Sequence, residues 1–185
     1  MPLPVANAGR HGGFTLVELL VTLAVLAILL ALAVPSFGDL IDRGRLTSAA
    51  DTLYADLQFA RSEAIRNNQN VVVSFQSGGS WCYGMVLGSS ACDCSVSDSA
   101  AANYCALKRV TAADFSKVSI PSAASITFAS GQTGFDPVRG VALSSGAVTL
   151  QSAQGKQATV SLALLGRVSL CSPAGNGFIS AYPAC

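Results

Sequence analysis

One stretch limits what this chain can become. Phe14 to Val34 is apolar at every position except Thr15, Glu18 and Thr22, and Pro35 follows it. At about 1.5 Å per residue, a helix over this run is about 30 Å long, the thickness of a bilayer core. Met1 to Gly13 form a short leader, with Arg10 and His11 close to the apolar run. The basic flank predicts an N-terminus on the cytoplasmic side and the rest of the chain across the membrane.

Two details set this run apart from an ordinary anchor. Glu18 places a carboxylate inside it, which costs about 3 kcal/mol at mid-membrane on insertion scales and less near an end. No basic residue lies within a helical turn to offset that cost. A new amino group would, if the chain were cut between Gly13 and Phe14. Gly12-Gly13 also stands before the apolar block, whereas a secretory signal is cut after its own. Cutting here leaves the helix on the mature protein.

The beginning of the chain resembles the type IV pilin-like proteins. Gly13-Phe14-Thr15-Leu16-Val17-Glu18 matches their processing motif, with Pro35 at the usual proline position. The resemblance implies a prepilin peptidase that cuts after Gly13 and methylates the new Phe14 amine. It also implies that Glu18 pairs with the Phe14 amine of a neighbouring subunit during assembly. Pro35 lacks an N–H and crowds the preceding turn, so a kink is expected there.

The six cysteines, Cys82, Cys92, Cys94, Cys105, Cys171 and Cys185, all follow the helix. An even count beyond a membrane span points to disulfides in an oxidising compartment. The competing reading is a metal site from Cys82, Cys92, Cys94 and Cys105. Their spacing lacks the paired C-x2-C of zinc sites, and no histidine follows to help, so no metal or cofactor is expected. Cys171 and Cys185 are expected to pair, closing a loop of about 15 residues worth about 3 kcal/mol in the chain-entropy model. The other four allow three pairings, which stay open.

From Pro35 the helix is expected to resume. Phe37, Leu40, Ile41, Leu46, Ala49, Ala50, Leu53, Leu57, Ala60, Ala64 and Ile65 recur at three- and four-residue steps. Asp39, Asp42, Arg43, Arg45, Asp51, Asp56, Arg61, Glu63 and Arg66 fill much of the other face. Such a helix packs one stripe on a globular domain. Asn67 to Asn70 ends it, about 80 Å from Phe14.

Beyond Asn70 the pattern predicts strands. Val71–Phe75 and Trp81–Leu87 flank a Gly-rich turn, and Gly88–Tyr104 is a Cys-bearing loop. Further strands are expected at 105–110, 125–129, 141–143, 147–150, 158–165 and 166–171, with a turn at Ser130–Gly134. Short strands without intervening helices predict an antiparallel sheet domain. The expected organisation is a leader (1–13), a transmembrane helix half (14–35), an amphipathic half (36–69) and a disulfide-stabilised β-rich domain (70–185). The fold class is α+β, pilin-like.

Four features are similar to the GspH/FimT family of minor pilins and pseudopilins. They are Leu57-Gln-Phe-Ala-Arg61-Ser62-Glu63-Ala64-Ile65 with Asn67-Asn68, Trp81-x-x-Gly84, Ile126-Thr-Phe-Ala-Ser-Gly131, and Gly166-Arg167 before Cys171. The Gly88–Tyr104 loop lies outside the family pattern. The resemblance implies a bacterial inner-membrane protein with a single pass and a periplasmic domain, later carried to a pilus or pseudopilus tip. Its partners would be the peptidase and other pilins, minor pilins or pseudopilins.

A chain cut after Gly13 carries no histidine, which removes His-based triads, Cys-His dyads and ordinary His-metal sites. An enzyme is not expected. From Lys108 onward, Lys108, Arg109, Lys117, Arg139, Lys156 and Arg167 outnumber Asp114 and Asp136. Some FimT-like proteins take up DNA through a Gly-Arg-x-Arg element. Here the matching residues are Gly166-Arg167-Val168-Ser169, with serine at the second arginine. Arg167, Lys156 and Arg139 are the candidate DNA contacts. The expected function is a minor pilin in an initiation or tip complex of a type IV pilus. The alternatives are a type II secretion pseudopilin and a DNA-binding minor pilin in natural transformation.

Overall fold

The structure, a computed structural model, describes residues 13–185, without the side chains of residues 32–36. The Arg10–His11 flank and most of the leader therefore lie outside the described residues, and Pro35, where a kink is expected, falls within α1 among the residues whose side chains are not described. The chain divides into two compact units, Met1–Gly38 and Asp39–Cys185. Helix α1 is assigned to Leu16–Asn67.

In the first unit the large apolar side chains from Phe14 to Leu30 are exposed. Among the described residues, no helix is long and apolar enough to cross a membrane.

In the second unit α1 buries Leu46, Ala49, Ala50, Leu53, Leu57, Ala60 and Ala64. These recur at the three- and four-residue steps that keep one helical face toward a partner. The alanines bring the helix backbone close to the sheets, and the leucines fill the space between. Phe37, Leu40, Ile41 and Ile65, expected on the packed stripe, are exposed instead. Leu40 and Ile41 sit about 200° and 100° around the helix from Asp42, which leads the stripe. Asp42, Asp56 and Glu63, expected on the solvated face, are buried. Each has partners that meet its charge. Asp42 accepts from Ser152 Oγ, Asp56 from Tyr83 and Lys108, and Glu63 from Arg66 and Asn67.

Eight short strands follow. They are β1 (Val71–Gln76), β2 (Cys82–Leu87), β3 (Lys108–Thr111), β4 (Val118–Ser119), β5 (Gln132–Phe135), β6 (Gly146–Ser152), β7 (Gln157–Leu162) and β8 (Val168–Cys171). They form two four-stranded sheets, ordered β3-β2-β1-β5 and β4-β6-β7-β8, with every pairing antiparallel. The architecture is α+β, as expected, with a helix and antiparallel sheets sharing one core. In β7 burial alternates residue by residue, the pattern of a sheet with one face inward.

In β1 both faces are covered. Its inner face meets the core through Val71, Val73 and Phe75. Beside it, the outer face of β2 lies under the Cys-bearing loop. Cys82–Cys94 and Cys92–Cys105 form there, and with Val86 they make a second small core. The loop is therefore a third layer over the first sheet. The remaining pair is Cys171–Cys185.

Several strand expectations change. Ser125–Ala129 is not a strand but runs from the end of one short 3-10 turn to the start of another, with one bridge from Ile126 to Val148. The expected turn at Ser130–Gly134 instead leads into β5, which pairs with β1. Its weak strand propensity is overridden because Gly134 lets the strands meet. A Cβ there would stand 2.1 Å from the Val71 carbonyl oxygen. Residues 141–143 supply a single bridge, Ala142 to Phe135. β7 stops at Leu162 and β8 starts at Val168, so Leu164, Leu165, Gly166 and Arg167 belong to the connection between them.

Candidate functional site

Two regions hold the residues singled out from the sequence. The first is the start of α1. Gly13 and Phe14 are exposed and precede the helix. Thr15 caps it, because its Oγ1 accepts the Glu18 backbone N–H at 3.2 Å. That bond satisfies a donor the helix cannot satisfy itself. Glu18 thus sits in the first turn, where the helix dipole favours a carboxylate. It is exposed, and no basic side chain pairs with it among the described residues.

The second region lies at the end of the β domain beside the last turns of α1. The turn from Asp136 to Gly140 and the turn from Ala163 to Arg167 meet there. The Ala142 N–H donates to the Leu164 carbonyl at 2.9 Å. Gly166, at φ 78°, approaches so closely that a Cβ on it would stand 2.3 Å from the Gly140 oxygen. Arg61 braces both turns. Its Nη1 donates to the Gly166 carbonyl at 3.5 Å, and its Nε would stand 2.8 Å from a Cβ at Gly140. Asp136 fixes the first turn by accepting the N–H groups of Val138 and Arg139 at 2.9 and 3.0 Å.

The structure therefore brings Arg139 and Arg167 onto adjoining turns, both exposed. It does not bring Lys156 to them. Lys156 stands at the β6–β7 turn, and six strand residues separate that turn from the β7–β8 turn. At about 3.3 Å per residue this is about 20 Å. Sequence reasoning missed Arg61 as the brace and missed Val138, Leu164 and Leu165 as exposed turn residues. The pair of leucines before Gly166 read as a strand end. The glycine was the available signal for a turn.

Along α1 a groove of about 580 Å³ is lined by small residues, among them Gly44, Ser48 and Ala55, with Asp51, Asp56 and Lys108. Lys108 Nζ contacts Asp56 Oδ1 at 2.5 Å, and Tyr83 Oη donates to Asp56 Oδ2 at 2.7 Å. Burial pushes the Tyr83 hydroxyl far above its ordinary range, and the neighbouring Asp56 charge adds to this. Tyr182 moves the same way, through burial and then its bond to Asp51. In the Cys-bearing loop, hydrogen bonds from Ser95 hold the Asp93 carboxyl below its usual range. Among the described residues no cluster of His, Cys, Asp or Glu is arranged to hold a metal ion.

Comparison with known proteins gives two family matches. Residues 49–166 match the model of type II transport protein GspH. Residues 9–34 match the prokaryotic N-terminal methylation motif. The fold is similar to the crystal structures of the type IV minor pilin FimU of Pseudomonas aeruginosa strain PAO1 in two space groups. In one, 21% of residues are identical, 68% of this chain and 91% of that chain are covered, and the TM-score is 0.46. In the other the identity is 22%, the coverage 69% and 89%, and the TM-score 0.47. No curated protein matches the chain.

Proposed function

This chain belongs to the family of type II transport protein GspH, and on that premise we propose that it is a minor pilin of an initiation or tip complex of a type IV pilus. The observation that carries the reading is the built start of α1. An exposed Phe14 stands before a capped helix, Glu18 lies in the first turn with no basic partner among the described residues, and apolar side chains are exposed beyond it. Apolar surface of that extent needs a bilayer or other helices around it.

In this mechanism a prepilin peptidase cuts between Gly13 and Phe14 and methylates the Phe14 amine. Residues 14–35 hold the chain in the inner membrane, with the disulfide-bonded domain in the oxidising periplasm. Glu18 then pairs with the amine of an adjoining subunit. An unpaired carboxylate in hydrocarbon is costly, so a correctly staggered neighbour lowers the energy and a misaligned one does not. The role is structural.

Mass analysis of the mature N-terminus tests the reading. The expected product begins at a methylated Phe14, and a product beginning at Met1 refutes it. Glu18→Ala is expected to leave cleavage intact and to remove the protein from the assembled fibre. Normal incorporation of that variant would refute the pairing step.

The description of the matching family favours a second reading, a pseudopilin of type II secretion. Deleting the gene separates the two. Loss of pili with secretion intact supports the first, and loss of secretion with pili intact supports the second.

A further inference from the structure

The two bonds that hold the Cys-bearing loop cross each other. Cys82 pairs with Cys94 and Cys92 with Cys105, so no bond joins cysteines that follow one another in the chain. No helix or strand lies between Leu87 and Lys108 to direct that choice while the loop is open. Chain length does not direct it either. The crossed bonds span separations of 12 and 13 residues. The uncrossed set, Cys82–Cys92 with Cys94–Cys105, closes slightly shorter loops. Loop-closure entropy therefore favours the uncrossed set, by less than about twofold. The third set needs a bond from Cys92 to Cys94 across one residue, which disulfide geometry disfavours.

The docked loop is what tells the sets apart. Gln76 stands opposite Cys82 in the β1–β2 ladder, and its Nε2 donates to Asp93 Oδ1 at 2.9 Å. Arg109 stands opposite Gly84 in the β2–β3 ladder, and its Nε donates to the Cys94 carbonyl at 2.6 Å. These bonds register the Cys92-Asp93-Cys94 turn so that Cys94, not Cys92, meets Cys82. Cys105 fits over Gly84, where a side chain would strike it. Once the loop is down, all four cysteines are at most 6% exposed, which closes them to attack by a thiol. Cys171–Cys185 differs, because it joins successive cysteines and its Cys185 end is exposed.

We propose that the Cys-bearing loop is a substrate for thiol–disulfide exchange, and that a dithiol isomerase of the oxidising compartment is a partner of this chain before the loop closes. A catalyst thiolate attacks Cys92 of the uncrossed set, forming a mixed disulfide and releasing the Cys82 thiolate. Cys82 attacks Cys94, forming Cys82–Cys94 and releasing the Cys105 thiolate. Cys105 then attacks Cys92 in the mixed disulfide, forming Cys92–Cys105 and returning the catalyst thiolate. Two protein disulfides break and two form, so no oxidant is consumed. Gln76 and Arg109 are positioning residues that make the crossed set the end point. This goes beyond the assembly role, and the chemistry is the same for a pilus or a pseudopilus subunit.

The test refolds the full chain, reduced and unfolded in urea, into detergent micelles. Diamide alone, which leaves no thiol free, is expected to give the uncrossed set in at least half of the chains. A purified disulfide isomerase with reduced and oxidised glutathione should then convert more than about nine-tenths to the crossed set, since exchange runs until the buried pairs resist it. Peptide mass mapping reads the sets, because a protease that cuts before Asp93 separates Cys92 from Cys94. Gln76→Ala, at an exposed position, and Arg109→Leu should each raise the uncrossed-to-crossed ratio in the isomerase arm about fivefold. Leu53→Ala, which weakens the domain away from the loop, should leave that ratio unchanged. In the finished protein, mild reductant should open Cys171–Cys185 first. A crossed majority with diamide alone, or uncrossed chains that the isomerase fails to convert, would overturn the exchange step. A ratio untouched by both loop variants, or moved as far by Leu53→Ala, would overturn the role of Gln76 and Arg109. Reduction of the loop pairs before Cys171–Cys185 would overturn their closure to thiols.

Discussion

Gly84→Ala tests whether the disulfide loop is a packed layer. Gly84 lies in β2, opposite Ser74 of β1 and Arg109 of β3. A Cβ there would stand 2.3 Å from Cys105 Sγ, 2.6 Å from Cys105 Cβ and 3.2 Å from the Lys108 carbonyl oxygen. Cys105 cannot swing aside, because it is bonded to Cys92 and buried in the second small core. The methyl must lift the loop or bend the strand, and overpacking of this kind costs about 1–3 kcal/mol.

The single tryptophan, Trp81, is 1% exposed, one residue before β2, with its indole N–H donating to the Val118 carbonyl at 2.7 Å. Its fluorescence therefore reports unfolding of the β domain. In urea, with a slope of about 2 kcal/mol per molar, a 2 kcal/mol loss moves the midpoint down by about 1 M. In a Cys92→Ala/Cys105→Gly background both obstructing atoms are gone. There the same Gly84→Ala change should cost under about 1 kcal/mol. A full-size cost in both backgrounds, or none in either, would refute the packed-layer argument.

Other outcomes follow from the buried polar groups and the tail. Tyr83 has a folded-state pKa raised by burial and by Asp56, so its contribution to stability is complete below its unfolded value of about 10. That contribution is lost as pH climbs above it. Absorbance at 295 nm should show Tyr83 ionising only as the domain opens, and Tyr83→Phe should flatten the loss of stability above pH 10. Replacing Cys171 and Cys185 with serine opens the 14-residue separation between them and should cost about 3 kcal/mol in urea titrations. Because Tyr182 lies on that closed segment and donates to Asp51, the same variant should also raise hydrogen exchange around Asp51. Leu53→Ala removes a fully buried side chain between α1 and the sheets and should cost about 2–5 kcal/mol.

What could be read from the residues alone is whatever neighbours in the chain decide together. The apolar run after Gly13 with its one carboxylate, the helical stripe from Leu46 to Ala64 and the β1–β2 hairpin around Gly78 are of this kind. Each is a local period or a local turn, and each is present in the described structure. Tertiary structure decided what depends on residues far apart in the chain. It chose one of three cysteine pairings, because only the fold of the loop over β2 brings Cys82 to Cys94 and Cys92 to Cys105. It made a strand of Gln132–Phe135, because β1 offered an open edge that a glycine could approach. It buried Asp42 and Asp56, because Ser152, and Tyr83 with Lys108, stand where they can answer each charge. Arg139 and Arg167 became neighbours, and Lys156 did not, through the close meeting of two glycine turns over Arg61, which no spacing along the chain encodes.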